Sequence, residues 1–323
     1  NIKDNLKKLQ IGKSSTYKNM TLFPIIGNNI NKNNYLCFCE EHIESGAILV
    51  NEISKEGVVA ALSVTNNTDK PVFIPDGMIF KGGYQTRTND YSIIIDPQST
   101  VNITTSCVEE GRWTSGSSST DFDISSSMMF SKGRASKANS LKDSLYNNGY
   151  AKSSQNKVWE SVNSKFEEMK TSSSTSSLND INESFEKKTN EFVHAFAIEN
   201  NDVGLIYACN ERIIGFDLFD KSSTLKKFFP KLIKGIALDC INQNINNNIP
   251  THSQAVEFFT KVQNAEIKFF NTTGSGEHYE FLNSKFDAIL FTYKNELIHC
   301  AAFTKEENYQ YESFRYPSYR RNR

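Results

Sequence analysis

"VVAALSVTNNTDKPVFIPDGMIF", residues 58–80, is the stretch whose reading decides the fold. Val58 to Thr65 is mostly apolar or β-branched, which suits a strand. "NNTDKP" (66–71) is a cluster of turn formers, and "VFIPDGMIF" then resumes the apolar run around Asp76-Gly77, a tight-turn pair. The scheme repeats at once in "YSIIIDPQSTVNITTSCVE" (91–109), as strand, Asp-Pro turn and strand. Upstream, "MTLFPIIG" is a short apolar run, "YLCFCE" alternates, and "EEHIESGAILVNEI" reads as a helical turn or two leading into a strand. Several short strands with turn signals between them predict an antiparallel β-sandwich-like or barrel region.

Further along, the pattern changes. Residues 114–140 are rich in Ser and Gly and poor in large apolar residues, which predicts a flexible loop or lid. Val158, Val162, Phe166 and Met169 then recur at helical spacing, and Leu178, Ile181, Phe185, Phe192 and Phe196 form a second stripe. Such stripes are the faces that helices bury in a core. "VGLIYACNERIIGFDLFD" reads as a hairpin turning at Asn210-Glu211. Ser222 and Ser223 are placed to cap the helix that follows, and Pro230 marks a kink or a fresh start within it. "SQAVEFFTKV" is another helix. "AEIKFFN", "YEFLN" and "FDAILFTYKNELIHCAAFT" are strands, the last a hairpin turning near Lys294-Asn295. The fold class expected is α+β: an N-terminal antiparallel β-sandwich-like region, a helical middle, and C-terminal helices with short antiparallel strands. The units are residues 1–113, the 114–140 loop, and 141–323 packed on the first as one unit.

Composition narrows the function classes. The chain has 323 residues and a formal net charge of −1, so no extended nucleic-acid surface is expected, since that needs a basic stripe. No run of about 18 apolar residues is present, so no membrane-spanning helix is expected. The first ten residues carry no apolar signal core, and the chain starts without Met, which leaves room for a removed upstream segment. Six scattered cysteines without a CxxC pair suit reduced thiols and a cytoplasmic setting. Cys37-x-Cys39 reads as two positions on one strand face. The five histidines lack HxxxH or HxH spacing, so no metal site is indicated, and no cofactor is specified. His299, inside an apolar hairpin, reads as a satisfied core or edge histidine. "TGSGEH" (273–278) lacks the setting of a phosphate-binding loop, and no Gly-x-Ser-x-Gly elbow occurs.

Two clusters carry candidate chemistry. In "FKGGYQTRTND" (80–90), Gly82-Gly83 permits close backbone approach, and Lys81, Gln85, Arg87 and Asn89 fall at alternating positions. On a strand they would share a face suited to an anionic, hydrogen-bonding ligand. A solvated sheet face is the plainer alternative. In "SCVEEGRW" (106–113), Arg112 offers a fork for phosphate or carboxylate and Trp113 a stacking surface. Glu109 is the candidate general base. The alternative is a Trp-Arg stack with Glu-Arg pairing that pins a corner. Cys107 reads as a buried strand terminus.

These segments resemble one family, the ARG and Rhodanese-Phosphatase-superfamily-associated protein domain, a bacterial family named for its genomic association with ADP-ribosylglycohydrolases. Its pattern "xNxSDxPVxxxDGxxxxGxxQxR" appears here as "TNNTDKPVFIPDGMIFKGGYQTRTN". "CVExGRW" appears as "CVEEGRW", and "GxDLFDxxxTxxKxxPKLxxxxALD" as "GFDLFDKSSTLKKFFPKLIKGIALD". The likeness runs from about Leu22 to Phe303. It departs at Tyr84, where the pattern has Lys. The resemblance implies a link to NAD and ADP-ribose metabolism and names no activity. The function expected is therefore binding, with processing as an open extension, of an ADP-ribose-like or NAD-derived nucleotide. The competing expectation is a non-catalytic interaction module that meets a protein partner through the 114–140 loop.

Overall fold

The computed structural model describes residues 2–28, 33–112, 122–246 and 248–305. The first part runs α1 (Ile2–Lys7), β1 (Gln10–Ile11), β2 (Ser15–Tyr17), β3 (Met20–Ile26), β4 (Leu36–Cys37), α2 (Glu40–Glu44), β5 (Ile48–Asn51) and β6 (Ala61–Asn66). It continues through β7 (Val72–Ile74), β8 (Ile79–Gly82), β9 (Arg87–Asn89), β10 (Ile93–Ile95), β11 (Ser99–Cys107) and β12 (Phe122–Ile124). Four helices follow: α3 (Ser131–Asn148), α4 (Gln155–Met169), α5 (Leu178–Ser184) and α6 (Glu186–Ala195). The last part is β13 (Asp202–Cys209), β14 (Arg212–Phe219), α7 (Ser222–Leu238), α8 (His252–Asn264), β15 (Glu266–Phe270), β16 (Glu277–Leu282), β17 (Phe286–Tyr293) and β18 (Glu296–Thr304). The class is α+β, with N-terminal strands, a helical middle and C-terminal strands.

A nine-stranded antiparallel sheet forms the centre, in the order β1-β3-β13-β14-β18-β17-β16-β15, with β2 also on β3. Its N-terminal strands therefore do not stand apart: β3 pairs with β13 from Ile26 opposite Asp202 to Met20 opposite Cys209. Two smaller sheets, β12-β8-β9-β11-β6-β5 and β10-β7-β4, hold the stretch that opened the sequence reading. The turn between β7 and β8 falls at Asp76-Gly77, where Gly77 has φ +83°. A Cβ there would come within 2.8 Å of the Arg134 side chain, so the position needs glycine twice over. The β17–β18 hairpin turns at Lys294 and Asn295, both left-handed (φ 52° and 61°), as a two-residue hairpin turn requires.

Both faces of the central sheet are covered, so β13 is buried along its whole length. Leu205, Tyr207 and Cys209 face one core, shared with α7 and the smaller sheets. Ile206, with Phe216 and Leu218 of β14, faces another, shared with α8 and α1. A third core joins α4 and α5 to Ile79, Val108, Met129 and Phe130. No helix among the described residues is long and apolar enough to cross a membrane.

Three local expectations need correction. The 114–140 loop is, in its described part, the strand β12 and the first half of α3. The helix gave no periodic signal because its buried face is polar: Ser131, Arg134, Lys137 and Ser140 point inward alongside Ala138 and Leu141. The second apolar stripe is two helices, α5 and α6, divided at Phe185. Ser222 and Ser223 do not cap α7. Lys221 occupies the cap position without a side-chain bond to the helix end, and the Ser222 hydroxyl donates to the Glu199 carbonyl. Pro230 lies inside α7, which is one helix across it.

Candidate functional site

The first cluster forms around Glu109, just past the end of β11. Its carboxylate accepts from the Thr86 amide (2.9 Å), the Thr86 hydroxyl (2.9 Å) and the Thr175 hydroxyl (2.8 Å). It also accepts from Arg112 Nε (2.9 Å) and Nη2 (2.8 Å). Burial works against the charge, but these bonds outweigh it and hold the carboxyl below its ordinary value. A carboxylate so furnished is a poor proton acceptor. Arg112 is anchored further by the Gly83 carbonyl (2.7 Å) and keeps 27% of its side chain exposed. Gly111, before Arg112, is exposed, but its amide is already taken by the Thr175 carbonyl (2.8 Å). A Cβ there would lie 2.9 Å from the Thr175 Cα. The Ser-rich stretch after α4 thus packs directly on this corner.

The other expected residues divide. Arg87 is fully buried and grips Glu52 with both terminal nitrogens (2.8 and 3.1 Å). Glu52 Oε1 also accepts from the Tyr84 amide (2.9 Å). Asn89 is buried and spends its amide on the Pro75 and Tyr91 carbonyls. Lys81, on β8, stays a third exposed, 3.2 Å from Asp123. Gln85 is buried and donates to the Glu110 carbonyl (3.3 Å), and its Oε1 accepts no hydrogen bond. Lys81, Gln85 and Arg112 therefore gather near Gly82-Gly83, whereas Arg87 and Asn89 are tied into the interior. Trp113 lies outside the described residues. Cys107 is buried at its strand end, and burial pushes its thiol up to about 11.

The second cluster escaped sequence reasoning. Arg134 on α3 spans two carboxylates: Nε meets Asp76 (2.9 Å), and the two terminal nitrogens meet Asp217 of β14 (2.9 and 2.6 Å). Lys137, one helical turn on, reaches Asp76 (2.9 Å) and the Asn89 carbonyl. Asp217 also accepts from Tyr207 (3.1 Å) and meets His299 Nε2 (3.0 Å), whose Nδ1 lies 2.7 Å from the Ser92 hydroxyl. Burial disfavours these charges, but Arg134 and His299 hold Asp217 well below the usual carboxylate range, and Lys137 and Arg134 lower Asp76 from its ordinary value. Asp90 behaves oppositely. Burial pushes it up to about 6, with Lys137 and the Ser106 hydroxyl (2.6 Å) only partly offsetting the effect. Asp76, Asp90, Ser92, Arg134 and His299 border a cavity of about 10 Å³, room for roughly one water. His299 was legible as a satisfied core histidine. Arg134 and Lys137 were not, because two cations one turn apart on a helix ordinarily mark a solvated face. Among the described residues, no three His, Cys, Asp or Glu side chains group as a metal set.

Searches of curated proteins and of solved structures give no match. A family model does match, over residues 8–303, and that span takes in both clusters and all three sheets. The chain belongs to the family of the ARG and Rhodanese-Phosphatase-superfamily-associated Protein domain, ARPP-1.

Proposed function

We propose that the protein binds a small phosphate-bearing ligand of nucleotide type, ADP-ribose-like or NAD-derived, at the rim formed by Lys81, Gln85 and Arg112. The observation that carries this reading is the pairing of an orphaned acceptor with a pre-set cation. Gln85 Oε1 is buried with no donor, an arrangement that a ligand hydroxyl or amide would relieve. Arg112 is locked by Glu109 and Gly83 while keeping part of its side chain exposed, so an anion would meet it at little further ordering cost. In this reading Glu109 is an anchor for Arg112, not a base, and the activity is binding. All six cysteines are unpaired, which agrees with the cytoplasmic setting expected from the sequence.

The test is thermal shift and titration calorimetry with ADP-ribose, NAD, AMP and inorganic phosphate. A ligand at 100 times its Kd adds about 2.7 kcal/mol of stability. Lys81→Ala should leave stability within about 1 kcal/mol, as for exposed pairs, and should weaken binding about tenfold through loss of one charge-assisted contact.

A second reading is favoured by a separate observation: Glu109, Arg87 and Asn89 are already engaged by the protein itself. On this reading the corner is structural and the chain is an interaction module. A flat response to every ligand in the series would select it over the first.

A further inference from the structure

Away from both clusters, the nine-stranded sheet ends differently on its two sides. At one edge stand β1 and β2, of two and three residues, short pieces of the kind that keep a sheet from pairing with another chain. At the other stands β15, five residues that pair one for one with β16, from Glu266 opposite Leu282 to Phe270 opposite His278. Among the described residues no strand lies on its outer side. Glu266, Lys268 and Phe269 are exposed there, Phe269 to 48%, and neither proline nor glycine interrupts the strand. An unbroken edge that carries an exposed aromatic ring is a template for a further strand.

We propose that β15 is an interaction surface for a second copy of this chain, the two β15 strands pairing antiparallel about a two-fold axis at Ile267. The charge pattern selects this partner and this register. Alternation puts Glu266, Lys268 and Phe270 on one face of the strand and Ile267 and Phe269 on the other. A two-fold contact must read the same from either copy. Centred on Ile267, Glu266 of each copy stands opposite Lys268 of the other, so one contact makes two opposite-charge pairs on a single face. Phe269 then falls opposite Ala265, a small residue. Centred on Lys268 instead, two ammonium groups would stand opposite each other, which disfavours that register. Within its own chain Lys268 lies opposite Glu280, so Glu266 of the second copy completes a carboxylate on either side of it. Five paired residues from each copy make an interface below the roughly 1,200–2,000 Å² of a standard stable complex. The association is therefore reversible and concentration-dependent, in the micromolar range.

Sedimentation equilibrium of the whole chain tests this, with circular dichroism of each variant as the check on folding. Wild type should pass from monomer to dimer as its concentration rises, and amide exchange within residues 266–270 should slow over the same range. Glu266→Lys and Lys268→Glu each set like charges opposite one another twice, and each should weaken the dimer about tenfold or more. The double variant restores both pairs with the signs exchanged and should return close to the wild-type dissociation constant. Lys268→Glu also meets Glu280 in its own chain. The double variant keeps that clash, so its recovery reports the contact between copies alone. A wild type that stays monomeric at its highest soluble concentration would overturn the proposal. So would a dimer that neither single reversal weakens, or one that the folded double variant fails to restore.

Discussion

At Arg87 and Glu52 two opposite charges meet where water hardly reaches either: their side chains are 0% and 4% exposed. Arg87→Met leaves the Glu52 carboxylate buried with its main counter-charge gone, and breaking such a pair costs about 3–5 kcal/mol. Chemical denaturation should read that loss. Arg87→Met combined with Glu52→Leu should recover most of it, because no uncompensated charge then remains. A loss below 1 kcal/mol in the single variant would mean the pair is hydrated. Asp90 makes a prediction in pH. Unfolded, it loses its proton near pH 3.9; folded, it holds that proton to about 6. Its contribution is thus complete below pH 4 and is lost as pH rises through 6, by about 2–3 kcal/mol. Asp90→Asn should gain that much relative to wild type between pH 4 and pH 7, measured by urea unfolding. Parallel profiles would show that Asp90 is ionised throughout. His278 acts in the opposite sense. Burial lowers it to about 4, so its share of stability is present above 6.5 and is lost as pH falls toward 4.

Among the elements, α8 has the most local explanation. Thr251 caps it by accepting the Gln254 amide, while the Gln254 side chain accepts from the Thr251 amide. Thr251→Ala should cost about 1 kcal/mol, read as a lower melting temperature with the fold retained. An unchanged melting temperature would show that packing of Ala255, Phe259 and Val262 alone sets this helix. What could be read from sequence follows the same divide between local and distant causes. The hairpins at Asn210 and Lys294-Asn295, the strands flanking Asp76-Gly77 and the apolar stripe of α4 were legible because turn residues and periodicity act within a few positions. Helix α3 was not, because Arg134 and Lys137 point inward toward Asp76 and Asp217, carboxylates 58 and 83 residues away. The candidate site shows the same limit. Lys81 and Arg112 could be picked out by type and neighbourhood, but Glu52, which claims Arg87, lies 35 positions upstream with nothing nearby to flag it.

At the scale of the molecule, the sequence's first strands belong to its last sheet, and the Arg134 cluster joins the β7–β8 turn to β14 and β18 through α3. The described residues of 1–112 therefore share their core with the later chain: Met20 and Leu22 pack in the same cluster as Leu205, Phe228 and Phe303. A fragment ending at residue 112 should lack cooperative unfolding and expose apolar surface, checked by amide exchange and dye binding. A fragment with native-like protection in β6 and β11 would show that the smaller sheets fold alone. The placement of β3 also has a consequence in time. On the ribosome its partner β13 begins about 175 residues after Ile26, and at roughly 5–20 residues per second that is a wait of about 9–35 seconds. Throughout that interval "MTLFPIIG" has β1 and β2 beside one edge, while the edge that β13 will take has no partner yet. Its Pro24, which presents no amide hydrogen to a wrong strand, is a built-in restraint on premature pairing.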